Sequence, residues 1–274
     1  MKKSGVFVGT GVLAALLALN SAVLAGNTIT VCWDGSGDYT TIQAGINAAA
    51  NGDEVVVCPG TYYENISFGG KNIILTSTDP DNPSVVAATI IDAGGSGSVV
   101  TFSGSESTSC VLTGFTITNG YSQFSYAGQL LGKGGGIRGN NTQATITNCR
   151  IINNRADGSY VEGGGLHRCN GTISNCVISG NRATASQDSW GGGLYGCNGD
   201  IINCEITNNV ATGEAQGGDC LRVAVKLTDV IYQTTGAATR GQVFAMAEGW
   251  MSARALSETP SYQKTQTMVM EQVE

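Results

Sequence analysis

Residues 163–209 read GGGLHRCNGTISNCVISGNRATASQDSWGGGLYGCNGDIINCEITNN, which states nearly the same phrase twice. A glycine triplet, a leucine, a cysteine, an isoleucine, a second cysteine and an asparagine return at almost fixed offsets. Starting from Ile146, Ile173 and Ile201 the units are ITNCRIINN, ISNCVISGN and IINCEITNN, each preceded by a triplet that begins at Gly134, Gly163 or Gly191, spacings of 29 and 28 residues. Self-similarity at this period marks a repeat architecture in which each unit buries its inner face only against its neighbours. A fainter copy, LTGFTITNG from Leu112, puts Phe115 in the cysteine place and Ile117 in the isoleucine place.

No helical period runs through a unit, which has room for two or three short strands separated by turns. Ile173 and Asn175 share one strand face, whereas Cys176 and Ile178 are two apart but out of step with that pair. The chain therefore bends between Asn175 and Cys176. The glycine triplet supplies a corner too tight for a side chain, and Leu166 after it points inward. Such a chain coils, and the reading is an all-β, right-handed parallel β-helix over residues 26–218.

In that architecture equivalent residues stack about 4.8 Å apart. Three ladders follow. Asn148, Asn175 and Asn203 are expected at an inward-facing corner, Asn154, Asn181 and Asn209 form a second amide ladder, and Cys149, Cys176 and Cys204 stack as small apolar fillers beside Ile151, Ile178 and Ile206.

The stack needs an end cover. Thr40-Thr41-Ile42-Gln43 has the form of a capping box, Ile42 and Ile46 share a helix face, and Asn51-Gly52 reads as a stop, so a short N-terminal capping helix is predicted there. The following GDEVVVCPGTYYENISFGGKNIILTS reads as strand, turn, strand, turn, strand.

Residues 1–25 have a basic start, an apolar run from Val6 to Leu19 and a small-residue site before Gly26, which reads as a secretory signal peptide and too short a run for a membrane span. Export makes Cys32 and Cys58, on two strand-like runs, the disulfide candidates. No Cys-x-x-Cys or His-rich zinc spacing occurs, and no metal site is read. The expected location is secreted or at the cell surface.

The stretch DGSGDYTTIQAGINAAANGDEVVVCPGTYYENI, residues 34–66, followed by KNIILTS and TIIDAGG, resembles the opening of pectin-lyase-like proteins, among them pectin methylesterases. The later GGGI and GGGL with I-x-x-N resemble repeats of polymorphic outer-membrane and other bacterial surface β-helix proteins. The resemblance spans about residues 30–218 and implies architecture more than chemistry. The methylesterase motifs QDTL and DFIFG are absent from the sequence. For pectate lyases the resemblance would imply gathered aspartates for calcium and a basic residue as proton acceptor; the repeats show no such cluster, and Asp157, Asp188 and Asp200 are scattered.

Over residues 26–218, 15 Asp and Glu stand against 7 Lys and Arg. That balance disfavours nucleic acid and polyanionic sugar unless calcium bridges it. Arg138, His167 and Tyr195 follow their triplets at equivalent, outward positions with Arg168 and Trp190 near; an aromatic beside hydrogen-bonding groups suits a sugar ring. The functional expectation is a non-enzymatic surface scaffold, an adhesin or carbohydrate-contacting protein, monomeric, with a glycan or cell-surface ligand as partner and no cofactor. The alternative is a polysaccharide lyase or glycoside hydrolase, with calcium, whose active residues lie on further coils or in the insertion from Tyr121 to Lys133.

After Gly218 the composition switches, for residues 219–274 hold 3 of the 40 glycines and 4 of the 5 methionines. Rereading the codons one base earlier from Asp219 yields leucine at 219–220, permits cysteine, isoleucine or valine, and cysteine, and forces leucine or isoleucine and then asparagine or aspartate, at the repeat's own offsets. The tail is thus expected to be a frameshifted extension of a protein that continues with more coils, and the nucleotide sequence decides it.

Overall fold

The computed structural model describes residues 26–213 and, beyond them, the backbone of strands Cys220–Leu221, Leu227–Thr228, Val230–Thr234, Ser252–Ala255 and Gln266–Glu271. The signal-peptide reading of 1–25, and the reading of 219–274 apart from those strands, fall outside the described residues.

The chain is a right-handed parallel β-helix. One sheet stacks Thr28–Val31, Glu54–Val57, Ile74–Ser77, Val111–Thr113, Thr145–Thr147, Ile173–Ser174 and Ile201–Ile202, every neighbour parallel. A second stacks Gly60–Tyr63, Thr89–Asp92, Thr116–Thr118, Arg150–Ile152, Val177–Ser179 and Glu205–Thr207. A third stacks Ile66–Ser67, Val100–Thr101, Ile137–Thr142, Leu166–Cys169 and Leu194–Tyr195. The predicted rungs are in register: Ile146 pairs with Ile173 and Ile173 with Ile201, Ile151 with Ile178 and Ile178 with Ile206. All six are fully buried and belong to one continuous core. The N-terminal stretch holds one strand more than predicted, the two-residue Ile66–Ser67.

From residue 121 a fourth sheet adds a flange. It contains Phe124–Tyr126, Gln129–Lys133, Arg155–Glu162, Arg182–Trp190 and Val210–Thr212. In the insertion from Tyr121 to Lys133, Tyr121–Ser122 pairs parallel with Arg155–Ala156, and residues 124–133 form an antiparallel hairpin turned at Ala127 and Gly128 with φ of 49° and 77°. Asp157 and Asp188 lie in the two long strands of this sheet rather than in turns, and Asp157 is held by Arg155 and Tyr121.

The bend between strands is made by residues in the left-handed region, and this corrects the inward placing of one ladder. Asn148, Asn175 and Asn203 have φ of 52°, 52° and 51°. Asparagine is the residue after glycine that tolerates this conformation most readily, so the bend fixes the residue type while its side chain faces out. Asn175 and Asn203 are exposed, with Asn203 Nδ2 donating to Asn175 Oδ1 at 3.4 Å, and Asn148 Nδ2 donates to Asp81 Oδ1 at 2.9 Å. The interior amide ladder is Asn154, Asn181 and Asn209, all buried. Asn154 and Asn181 each send an Nδ2 hydrogen bond to the next ladder member's Oδ1, at 3.1 and 2.9 Å. Cys149, Cys176 and Cys204 are buried in the same core.

Helix α1, Ile42–Ala48, lies on the first strands with Ile42 and Ile46 in the core, and a Cβ on its Gly45 would stand 2.7 Å from Val31 Cγ2. Its ends are not held as the sequence suggested. Thr41 makes no side-chain cap; instead the Glu64 carboxylate, 21 and 22 residues on, accepts from the backbone N–H groups of Gln43 and Ile42. The helix stops at Ala48, before Asn51-Gly52, and the Lys71 ammonium donates to the carbonyls of Ile46, Asn47 and Ala49. A carboxylate at the N-terminus and an ammonium at the C-terminus both complement the helix dipole. A second short helix, α2, Pro83–Ala88, was not read from the sequence; Asn82 caps it by accepting from Ser84 N–H.

Candidate functional site

The glycine triplets join the flange to the third sheet, and the residues flanking them form two facing ladders. Lys133, Glu162 and Trp190, each just before a triplet, are Cα partners in successive coils. Arg138, His167 and Tyr195, each shortly after, are partners likewise. Between them the backbones approach so closely that a Cβ on Gly164 would lie 2.5 Å from Gly192 O, and one on Gly165 2.6 Å from Gly193 O. Only glycine fits, so successive coils lie directly against each other at this corner.

Across the gap, Glu162 Oε2 meets His167 Nε2 at 3.0 Å, and along its own ladder it meets Lys133 Nζ at 3.4 Å. The rings of His167 and Tyr195 stack at 6.0 Å with 6° between planes, and Trp190 tilts against Tyr195 at 6.2 Å. Arg138 lies over the Phe124 ring of the hairpin at 4.9 Å and donates from Nε to Asn140 Oδ1. Arg168, with φ of 50°, runs its stem over Gly196, where a Cβ would stand 3.2 Å from Arg168 Cγ.

Burial divides these residues. Arg138, Arg168 and Trp190 are half-buried, but His167 is 2% and Tyr195 8% exposed. The expectation that Arg138, His167 and Tyr195 occupy equivalent positions matches the register, whereas the expectation that all three face outward fails at His167 and Tyr195. The physical reason is the facing ladder, whose Glu162 and Trp190 cover them.

Electrostatics follows from the same packing. Burial alone would push the Glu162 carboxyl up, but the hydrogen bond with His167 and the Lys133 ammonium outweigh it and hold the group at about 2. Burial holds His167 below its ordinary value despite Glu162, so the ring is neutral at pH 7. A carboxylate only accepts, hence Nε2 carries the proton and Nδ1 is the lone-pair nitrogen. That Nδ1 is buried and has no hydrogen-bond partner among the described residues. The pair has the parts of an acid–base dyad, but its histidine is buried and stacked on the Tyr195 ring, while Glu162 stays partly exposed.

Sequence reasoning missed Lys133, Glu162 and Phe124. The first two had a signal, since they immediately precede Gly134 and Gly163 as Trp190 precedes Gly191. It also missed an exposed aromatic group on the first coil: Trp33, 62% exposed, lies against Gly60, and Tyr63 and Tyr39 are exposed as well. Cys32 and Cys58 are joined by a disulfide, Cα–Cα 4.9 Å. Among the described residues no group of three or more His, Cys, Asp or Glu side chains converges as a metal site.

No known family profile matches the chain, and no curated protein matches it. A solved structure similar to it is a pectin methylesterase from carrot, at 16% identity and a TM-score of 0.43. The similarity covers 75% of this chain and 62% of that one, so the chain spans less than two thirds of that structure's length. No helix among the described residues is long and apolar enough to cross a membrane.

Proposed function

We propose that this chain is an exported β-helix scaffold of the cell surface that contacts glycan along the strip where Trp190, Arg168 and Arg138 emerge beside the glycine triplets, without cleaving it. The observation that carries the reading is the burial of His167: at 2% exposed and paired with Glu162, it cannot take a proton from a bound sugar, while half-exposed Trp190 can contact one. A partly exposed indole beside guanidinium groups offers an apolar face and hydrogen-bond donors in one place. Backbones locked rung to rung hold both without ordering cost at the moment of contact. The acidic balance of the rest of the chain leaves this strip, with Lys133, Arg138 and Arg168, as a concentration of cations.

The test is a glycan array probed with the full chain, with and without calcium, beside an assay for unsaturated products from polyuronates. Binding that falls at least tenfold in Trp190→Ala supports the reading. Unsaturated products overturn it in favour of a lyase, and binding abolished by Trp33→Ala but not by Trp190→Ala moves the contact to the first coil.

A further inference from the structure

Six cysteines besides the disulfide pair are free and buried among the described residues: Cys110, Cys149, Cys169, Cys176, Cys197 and Cys204. They are not equivalent. Cys149, Cys176 and Cys204 form a stack in which the middle thiol has two competing neighbours. Cys169 and Cys197 form a simple pair, because the coil preceding Cys169 presents Thr142 opposite it.

The pair is set for a bond between coils. Leu166 is in register with Leu194 and His167 with Tyr195, which puts Cys169 and Cys197 at the same place on adjacent coils. Each thiol leans the same way, Cys169 Sγ toward His167 O at 3.8 Å and Cys197 Sγ toward Tyr195 O at 3.7 Å. Adjacent strands about 4.8 Å apart fall inside the Cα separation of roughly 4.4–6.8 Å that a disulfide spans. The chain already carries one disulfide, Cys32–Cys58, on its first coils.

We propose that Cys169 and Cys197 are an oxidation site that closes into a coil-to-coil disulfide during export. This rests on the export reading. In the step a disulfide oxidant, protein-borne or small-molecule, is attacked by one cysteine thiolate to give a mixed disulfide and release one thiol. The second cysteine then displaces the other half. Two S–H bonds are lost, one Sγ–Sγ bond forms, and the two electrons and two protons leave on the oxidant as a pair of thiols. Both cysteines are fully buried in the folded chain, so the oxidant reaches them only before the coil of Leu194 docks on the coil of Leu166. Oxidation is thereby tied to the order of folding, and the native pair is inert to reagents in solution.

The test is disulfide mapping of the full chain recovered after export, alkylated in denaturant without reductant. Cleavage at Arg168, Arg182 and before Asp200 isolates Cys197 on one peptide, and in Cys176→Ala the peptide from Cys169 carries a single thiol. The expected result is that these two peptides are recovered joined, lighter by two hydrogens, and separate on reduction. If Cys176→Ala does not accumulate, fragment ions of the wild-type digest assign the same bond. Recovery of Cys169 and Cys197 as alkylated thiols overturns the proposal. The state of Cys32–Cys58 in that digest separates the two failures: oxidised, export stands and only the coil-to-coil bond falls; reduced, the export reading falls too.

Discussion

The side-chain oxygen of Asn181 accepts both the backbone N–H and the side-chain amide of Asn154, one coil away, at 3.0 and 3.1 Å. Its own amide donates to Ile151 O at 2.8 Å and to Asn209 Oδ1 at 2.9 Å. Asn181→Ala strips these groups of partners in a fully buried setting, and each unsatisfied group costs about 1–3 kcal/mol. The expected loss is about 3–5 kcal/mol, read as a lower urea midpoint with unchanged slope. Asn175→Ala, on the exposed ladder, should cost well under half as much, through its left-handed backbone and one long, solvent-exposed hydrogen bond from Asn203.

A glycine of the triplet and one of the hairpin turn give a contrast, in which the smaller added side chain should cost more. Gly164→Ala drives a methyl into the Gly192 carbonyl and the backbone of Arg182, both within 2.6 Å, and should cost about 3 kcal/mol or more. A Cβ at Gly128 meets nothing within 4 Å, and its φ of 77° is one asparagine accepts, so Gly128→Asn should change stability by less than about 0.5 kcal/mol. Equal effects would mean the coils are not packed as closely as described.

Helix α1 is held by charges from later coils. Glu64→Ala removes the acceptor of two N–H groups and should cost about 1–2 kcal/mol. Lys71→Met strips three carbonyls and should cost a similar amount. Hydrogen exchange at the amides of Ile42, Gln43 and Ala49 should quicken in both variants before the central coils lose protection.

Acid should weaken the fold in two steps with the same sign. The unfolded chain takes up a proton at His167 near 6.5, where the folded chain resists it, so stability falls as pH drops below 6.5. Glu162 protonates near 4.5 when unfolded and at about 2 when folded, so its contribution is present above about 4.5 and is lost between 4.5 and 2. Glu162→Gln should be less stable at pH 7, with the gap to wild type narrowing through the 4.5–2 window. Urea midpoints measured against pH check this.

The rungs were legible because they are written in period: Ile146, Ile173 and Ile201 need nothing but spacing to be placed on one sheet. The orientation of Asn148, Asn175 and Asn203 was not, because an asparagine chosen for its left-handed backbone and one chosen for an interior amide look alike in a sequence. Likewise Glu64 and Lys71 are 22 and 23 residues from the helix ends they hold, beyond any local motif. Asn82-Pro83 did carry a local start signal for α2, an asparagine cap followed by proline at the first helical position. For the candidate strip, the residue types were readable and the burial was not, since the covering side chains Glu162 and Trp190 come from a flange that the 28-residue period alone does not reveal.

Because the interior amides of Asn154 and Asn181 are completed by the coils on either side, length in this molecule is quantised. Insertion or loss of a whole 28-residue segment leaves each carboxamide facing an equivalent one, while a fraction of a segment throws the entire column out of phase. Changes of arbitrary size are confined to excursions such as the Phe124–Lys133 hairpin, which leave the column untouched.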